Sequence, residues 1–190
     1  MDARTLLQPG QSPTALAGAL DDLADDQRIA AVTGLRRKQL ADLFEAAAPN
    51  PPLRLTDLVP ADVPPMTEVI HEGKNSLGVF TRFQKRMCRP RHDPTELWGY
   101  NEQDLRAITG PGYFVAHHDE RGELVIDYRR LPPDRAPGWP PIIPNSARLS
   151  RFIYHLTVDV LRRVSDRVTI GRAYRNGRPM DAWFALVRRS

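Results

Sequence analysis

The stretch "NSARLSRFIYHLTVDVLRRVSD", residues 145–166, is the one on which the fold turns. Leu149, Phe152, Ile153, Leu156, Val160 and Val164 recur at steps of three, four and one. That spacing predicts an amphipathic helix of about four or five turns. Its outer side would show Arg148, Arg151, Arg162 and Arg163. The β-branched Ile153, Thr157, Val158 and Val160 pull the other way and also admit a strand through part of the run. The helix, taken over 148–164, is the reading carried forward.

A hairpin lies on each side of it. In "GYFVAHHDERGELVIDYRR" the alternation of 113–117 and 124–128 flanks "DERG", with Gly122 able to take positive φ. A four-residue loop would put Tyr113, Val115 and His117 on one face with Leu124, Ile126 and Tyr128. A three-residue loop with a glycine bulge would separate the two sets. In "RVTIGRAYRNGRPMDAWFALVRR" the Asn176-Gly177 pair predicts a type I′ turn. Counting outward pairs Tyr174 with Pro179, Arg172 with Asp181, Ile170 with Trp183 and Val168 with Ala185. The opposite face carries Thr169, Gly171, Ala173, Phe184 and Leu186, small enough in places for another group to approach closely.

Toward the amino terminus, Ser12-Pro13 reads as an N-cap followed by proline at the first helical position. Leu16, Leu20 and Leu23 follow at helical spacing, and a second run carries Ile29, Val32, Leu35, Leu40, Leu43 and Phe44, with Gly34 as a break. The expectation is a helical hairpin over 1–48 with one apolar face, docked on its own sheet or on a partner. Six prolines within 49–65 predict a stiff connector. The core domain is then 66–190. Within it, "LPPDRAPGWPPIIPN" (131–145) reads as an ordered strap anchored by Trp139. The expected fold class is α+β: an antiparallel sheet of about 4–6 strands packed by one long helix.

Composition bounds the function. No apolar run reaches the roughly 20 residues of a membrane span. No basic-then-apolar leader opens the chain, and Cys88 stands alone, so a reducing cytoplasmic setting is expected. Residues 1–65 carry nine acidic and six basic groups, and the remainder fourteen and twenty-one. Of the 27 basic residues 24 are arginine, Lys38, Lys74 and Lys85 being the exceptions. Arginine forks suit carboxylate and phosphate.

The densest charge lies in "FTRFQKRMCRPRH", 80–92. As a strand it puts Thr81, Phe83, Lys85 and Met87 on one face and Arg82, Gln84, Arg86 and Cys88 on the other. Neither face is cleanly apolar. Cations interleaved with rings are what a nucleic-acid groove needs, although a charged sheet edge has the same pattern. In "IHEGKNS", His71 stands beside Glu72 and Lys74 in what reads as a glycine-bearing loop, equipment for acid–base work. "LWGYNEQDL" offers Trp98, Tyr100 and Asn101 before a Gly110-Pro111-Gly112 turn, rings near an amide that could line a small-molecule pocket. No nucleotide fingerprint, paired metal-ligand spacing or cofactor motif is present.

The sequence therefore leads to a cytoplasmic domain that binds a small molecule or a partner, with no identifiable catalytic centre, cofactor or metal. Its pocket is expected to be lined by Tyr113, His117, Tyr128, Trp98 and Tyr100, with Arg82 and Arg86 favouring an anionic ligand. Two alternatives stand beside it: nucleic-acid binding through 82–91, and an enzyme using His71 or His117 as acid or base. A homodimer through the N-terminal helices would occupy their apolar face, and no membrane partner is expected.

Overall fold

The computed structural model describes residues 12–48, 51–77, 81–103, 110–145 and 156–190. Its centre is a closed barrel of eight antiparallel strands, each hydrogen-bonded to its neighbours in sequence. They are β1 (Val69–Asn75), β2 (Arg82–Cys88), β3 (Glu96–Glu102), β4 (Phe114–His118), β5 (Leu124–Asp127), β6 (Thr157–Arg163), β7 (Val168–Arg175) and β8 (Arg178–Arg188). β1 also pairs with β8, from His71↔Arg188 to Asn75↔Phe184, so no strand edge is left open.

This corrects the expected α+β class. There is no 4–6-stranded sheet under a long helix. Residues 157–163 of the expected helix form β6, paired with β5 and β7, and residues 148–155 lie outside the described residues. The β-branched Thr157, Val158 and Val160 prevail because β6 is covered on both faces. Polar Thr157 and Asp159 share the inward face with Leu161 while Val158 and Val160 lie on the other, which blurs the alternation of a strand until it imitates helical spacing. β1 likewise replaces the expected loop around His71, and β3 runs through Trp98 and Tyr100.

Gly73, which suggested a loop, shares a packing role with Gly99 and Gly171. Gly73 faces Phe83 across β1–β2, Gly99 faces Phe114 across β3–β4, and Gly171 faces Phe184 across β7–β8. A Cβ added at these glycines would lie 2.6, 2.4 and 2.3 Å from the facing ring. Each ring therefore lies flat on a backbone that only glycine leaves bare.

Register also departs from expectation in both hairpins. Between β4 and β5, Asp119 N–H donates to Glu123 O and Gly122 N–H to Asp119 O, both at 2.9 Å, with Gly122 at φ 77°. This tighter glycine turn pairs His118 with Leu124 and His117 with Val125. Between β7 and β8 the turn has Asn176 and Gly177 at φ 52° and 73°, and Tyr174 opposes Pro179. An irregularity between Arg172 and Tyr174 then puts Arg172 opposite Trp183 instead of Asp181, and Ile170 opposite Ala185.

Three helices cover one side of the barrel: α1 (Pro13–Asp21), α2 (Asp25–Thr33) and α3 (Arg37–Ala46). Ser12 caps α1, its Oγ accepting from Ala15 N–H at 3.2 Å. The buried Arg28 of α2 donates to the carbonyls of Leu20 (2.8 Å), Asp21 (3.2 Å) and Leu23, satisfying the end of α1. Leu16, Leu20, Val32, Leu40, Leu43 and Phe44 pack against Val168, Ile170, Ala185 and Val187 on the outer wall. The helices dock on this chain's own sheet. A short fourth helix, α4 (Leu55–Leu58), closes one barrel end: Leu53, Leu58 and Val59 join the interior cluster, and Arg188 Nε donates to Asp57 O at 3.1 Å. Among the described residues no helix is long and apolar enough to cross a membrane.

Candidate functional site

Alternation along β2 turns Phe83, Lys85 and Met87 into the barrel and Arg82, Gln84 and Arg86 outward, since Lys85 pairs with His71 and Asn101 and Met87 with Gly99. Most of the interior is apolar: Met87, Leu97, Phe114, Ala116, Ile126, Leu161, Phe184 and Leu186. Into it project Lys85, Asn101, Tyr128 and Asp159, all 5% exposed or less. Asn101 is near the far end of β3, Tyr128 just past the end of β5, and Asp159 near the start of β6.

Their geometry is tight. Lys85 Nζ donates to Asn101 Oδ1 at 2.9 Å and to the Tyr128 hydroxyl. Asn101 Nδ2 donates to Tyr128 Oη and to Gly112 O, both at 3.1 Å, so the amide is held from two sides. The Asp159 carboxylate stands 3.8 Å from Nζ, close enough for an ion pair but long for a hydrogen bond. Rings surround the ammonium, with centroids of Phe184, Phe114, Tyr128 and Phe83 at 4.9, 5.0, 5.0 and 5.5 Å. Burial pulls the Lys85 pKa down and pushes that of Asp159 up, and each charge partly offsets the shift of the other.

Two more polar groups on inward-facing positions lack partners. His71, 1% exposed, has neither ring nitrogen in a hydrogen bond, and Thr169 Oγ1 is buried and unpaired. Burial brings the His71 pKa down to about 4, with Arg188 adding to the effect. Backbone groups of Lys85, Leu58 and Val69 pull the other way without reaching hydrogen-bond geometry.

The seven residues expected to line one pocket fall in four places. Tyr128 is inside the barrel. Trp98, Tyr100 and Tyr113 gather on the outer wall under the strap, with Tyr100 5.1 Å and Tyr113 6.3 Å from Trp139. Their polar atoms are engaged: Tyr113 Oη donates to Pro140 O at 2.5 Å, Tyr100 Oη to Glu102 at 3.0 Å, and Trp98 Nε1 to Glu96 at 2.7 Å. That cluster anchors the strap. Arg82 is exposed, while Arg86 is tied to Glu68 at 3.0 Å and to Gln84. His117 faces outward because the turn at Gly122 shifts the register by one residue relative to a four-residue loop.

His117 lines an open cleft of about 530 Å³ with Leu55, Asp93, Thr95, Glu96, His118 and Arg130. Its Nδ1 lies 2.9 Å from His118 O, and its Nε2 is buried, unpaired and 3.9 Å from Asp127 Oδ2. Asp127 is meanwhile chelated by Arg129 at 2.7 and 2.8 Å. Cys88 is buried, with its thiol pushed up to about 12, so it is no nucleophile. Among the described residues no group of three or more His, Cys, Asp or Glu side chains is arranged to hold a metal.

Asp159 escaped the sequence-level reading, which met Asn101 only beside Trp98 and Tyr100 and Lys85 only as part of the basic segment. The available signal was a lysine between Phe83 and Met87 on one face of a strand, in a chain with only three lysines among 27 basic residues. Comparison of the chain with protein-family models, with curated proteins and with solved structures finds no match in any of the three.

Proposed function

We propose that this protein is a small-molecule-binding barrel. Its ligand is a compact, mostly apolar molecule with one anionic or hydrogen-bond-accepting group, which seats against Lys85 while its body lies along Phe83, Phe114 and Phe184. One observation carries the reading: a lysine and an aspartate are both buried inside an otherwise apolar barrel, and a buried ion pair is weak evidence for a role in stability. The interior of an eight-stranded barrel is of a size that either its own side chains or one small ligand can fill. The unpaired His71 and Thr169 supply further polar contacts, since buried groups of this kind ordinarily find partners. The anionic preference expected from Arg82 and Arg86 moves to Lys85, because neither arginine points inward.

The test is a titration of the purified protein with small aryl and alkyl carboxylates, followed by calorimetry and by amide chemical shifts. Saturable binding with shifts at Lys85, Asn101 and Asp159, lost in Lys85→Met, is the expected result. Shifts confined to the outer wall, or none with any carboxylate, refute the proposal.

A second reading, acid–base chemistry at His117, rests on the unpaired Nε2 beside Asp127 at the cleft. It predicts a pH-dependent hydrolytic or isomerising activity abolished by His117→Gln. Nucleic-acid binding through 82–91 is the weaker competitor. Arg86 and Arg89 are spent on Glu68 and on the carbonyls of Pro60, Ala61 and Val63. Absence of oligonucleotide binding at low salt removes it.

A further inference from the structure

The interior carries one primary amine among the described residues, and its setting is that of a nucleophile. Where this chain needs a permanent cation it uses arginine, at 24 of 27 basic positions. Arginine cannot shed its proton under ordinary conditions, whereas a buried lysine can. Asp159 pairs with Lys85 at 3.8 Å, longer than the contacts Nζ makes with its neutral partners. The two groups that do hold Nζ, Asn101 Oδ1 at 2.9 Å and the Tyr128 hydroxyl, are neutral. Four ring centroids within 5.5 Å of Nζ offer π faces to a cation there and apolar surface to any substituent it carries.

We propose that Lys85 captures an aldehyde or ketone ligand as a protonated imine, with Asp159 as its counterion. This rests on the reading of the interior as a small-molecule site and assigns the ligand's reactive group. The step balances without a further reagent. The Nζ lone pair forms the C–N bond and the carbonyl π pair moves to oxygen, which takes a proton released by nitrogen. The resulting carbinolamine hydroxyl takes a second proton from Asp159 and leaves as water. The nitrogen lone pair then closes C=N, and the positive charge rests beside the newly ionised carboxylate. The ion pair reaches these starting states, a neutral amine and a protonated acid, by passing one proton from Nζ to Asp159, a transfer that burial eases. The Tyr128 hydroxyl and the Asn101 amide, fixed to each other and to Gly112 O, orient the nitrogen.

The small number of lysines makes the test direct. Lys38→Arg/Lys74→Arg changes positions outside the interior and leaves Lys85 as the sole lysine. This full-length variant is incubated at pH 7 with cinnamaldehyde and sodium cyanoborohydride, and the adduct is mapped by peptide mass, which separates the N-terminal amine. A single adduct at Lys85 is expected. In the unsubstituted protein it should form roughly tenfold or more faster than at the exposed Lys38, since each unit of pKa depression raises the neutral-amine fraction about tenfold. Lys85→Met removes it. Cinnamate, with the same skeleton and no electrophile, is titrated in parallel. Lys85-dependent cinnamate binding without trapping at Lys85 overturns imine formation and leaves the small-molecule reading intact. Adducts confined to Lys38, Lys74 or the N-terminus, with no interior binding of cinnamate, overturn both.

Discussion

Replacing Lys85 and Asp159 together separates what the pair does for the fold from what it does for a ligand. At 3.8 Å and an effective dielectric constant of about 20, their attraction is about 4 kcal/mol. Dehydrating each ion costs several kcal/mol, so the intact pair roughly breaks even. Removing one member leaves the other dehydrated and unopposed. Lys85→Met or Asp159→Leu alone should therefore cost about 3–5 kcal/mol. The cost falls toward the lower end for Lys85→Met as the pH drops, because Asp159, already pushed up, takes a proton and becomes neutral. The double variant exchanges both for apolar groups of similar size, next to Met87, Leu161 and Leu186. Asn101 and Tyr128 keep their mutual hydrogen bond and the Gly112 carbonyl. The double variant should match the parent or exceed it by about 1–4 kcal/mol, while losing carboxylate binding. Equilibrium denaturation of all four proteins, fitted with a common m-value, reads this out. A double variant less stable than either single one would mean that the barrel depends on the pair, and the functional argument built on it would go.

Other expectations follow from single contacts. Gly171→Ala should destabilise by about 1–3 kcal/mol, because its Cβ would meet the Phe184 ring at 2.3 Å. In a Phe184→Ala background that cost should shrink by at least about 1 kcal/mol, and strict additivity in the cycle would contradict the stacked geometry. His71, lowered from 6.5 to about 4 by burial, holds stability that is full above pH 6.5 and declines as pH falls toward 4. Relative to His71→Leu, the parent should lose about 2 kcal/mol between pH 7.5 and pH 5 in denaturant titrations, and parallel curves would show the ring to be solvated. Asp159 has the opposite sign and loses stability as pH rises through its raised pKa, but it cancels in that comparison because both proteins retain it. Truncation to 49–190 uncovers Val168, Ile170, Ala185 and Val187 and strips Phe44 from Arg162, whose guanidinium lies 3.8 Å from its ring. The truncated barrel should self-associate in light scattering, and a stable monomer would show that the helices are dispensable.

What the sequence disclosed and what it hid have physical reasons. The Ser12 cap and the Leu16–Leu20 spacing were legible because capping and helical periodicity are local. The Asn176-Gly177 turn was legible because two consecutive positive φ angles leave little choice of residue. Closure of the barrel was not, since the β1–β8 pairing joins His71 to Arg188 and nothing local announces it. β6 was misread because its inward face carries Thr157 and Asp159 while its other face is partly apolar, so strand alternation lost its contrast. The expected union of His117 with Tyr128 failed on one residue of loop length at Gly122. As the sequence reading allowed, one turn decided which rings met.

The glycines and the polar centre are parts of one arrangement. A phenylalanine on the inner wall of a small barrel would ordinarily point toward the axis and fill it. Here Phe83, Phe114 and Phe184 each lie over a glycine on the next strand and are drawn flat against the wall. Flattened, three of them present faces and not edges to the middle of the barrel, where Lys85 reaches in with Tyr128 completing the ring set. A cation gains from ring faces and is repelled by nothing they carry, so an ammonium can be tolerated where an unpaired carboxylate could not. Substituting any of the three glycines should therefore act twice: on stability through the displaced ring, and on Lys85 through loss of a face. In Gly99→Ala, Cβ would stand 2.4 Å from Phe114 and push that ring off the wall. Ligand affinity should then fall by more than in a Met87→Leu control with the same loss of stability. Equal losses of affinity at equal loss of stability would reduce the aromatic wall to ordinary packing.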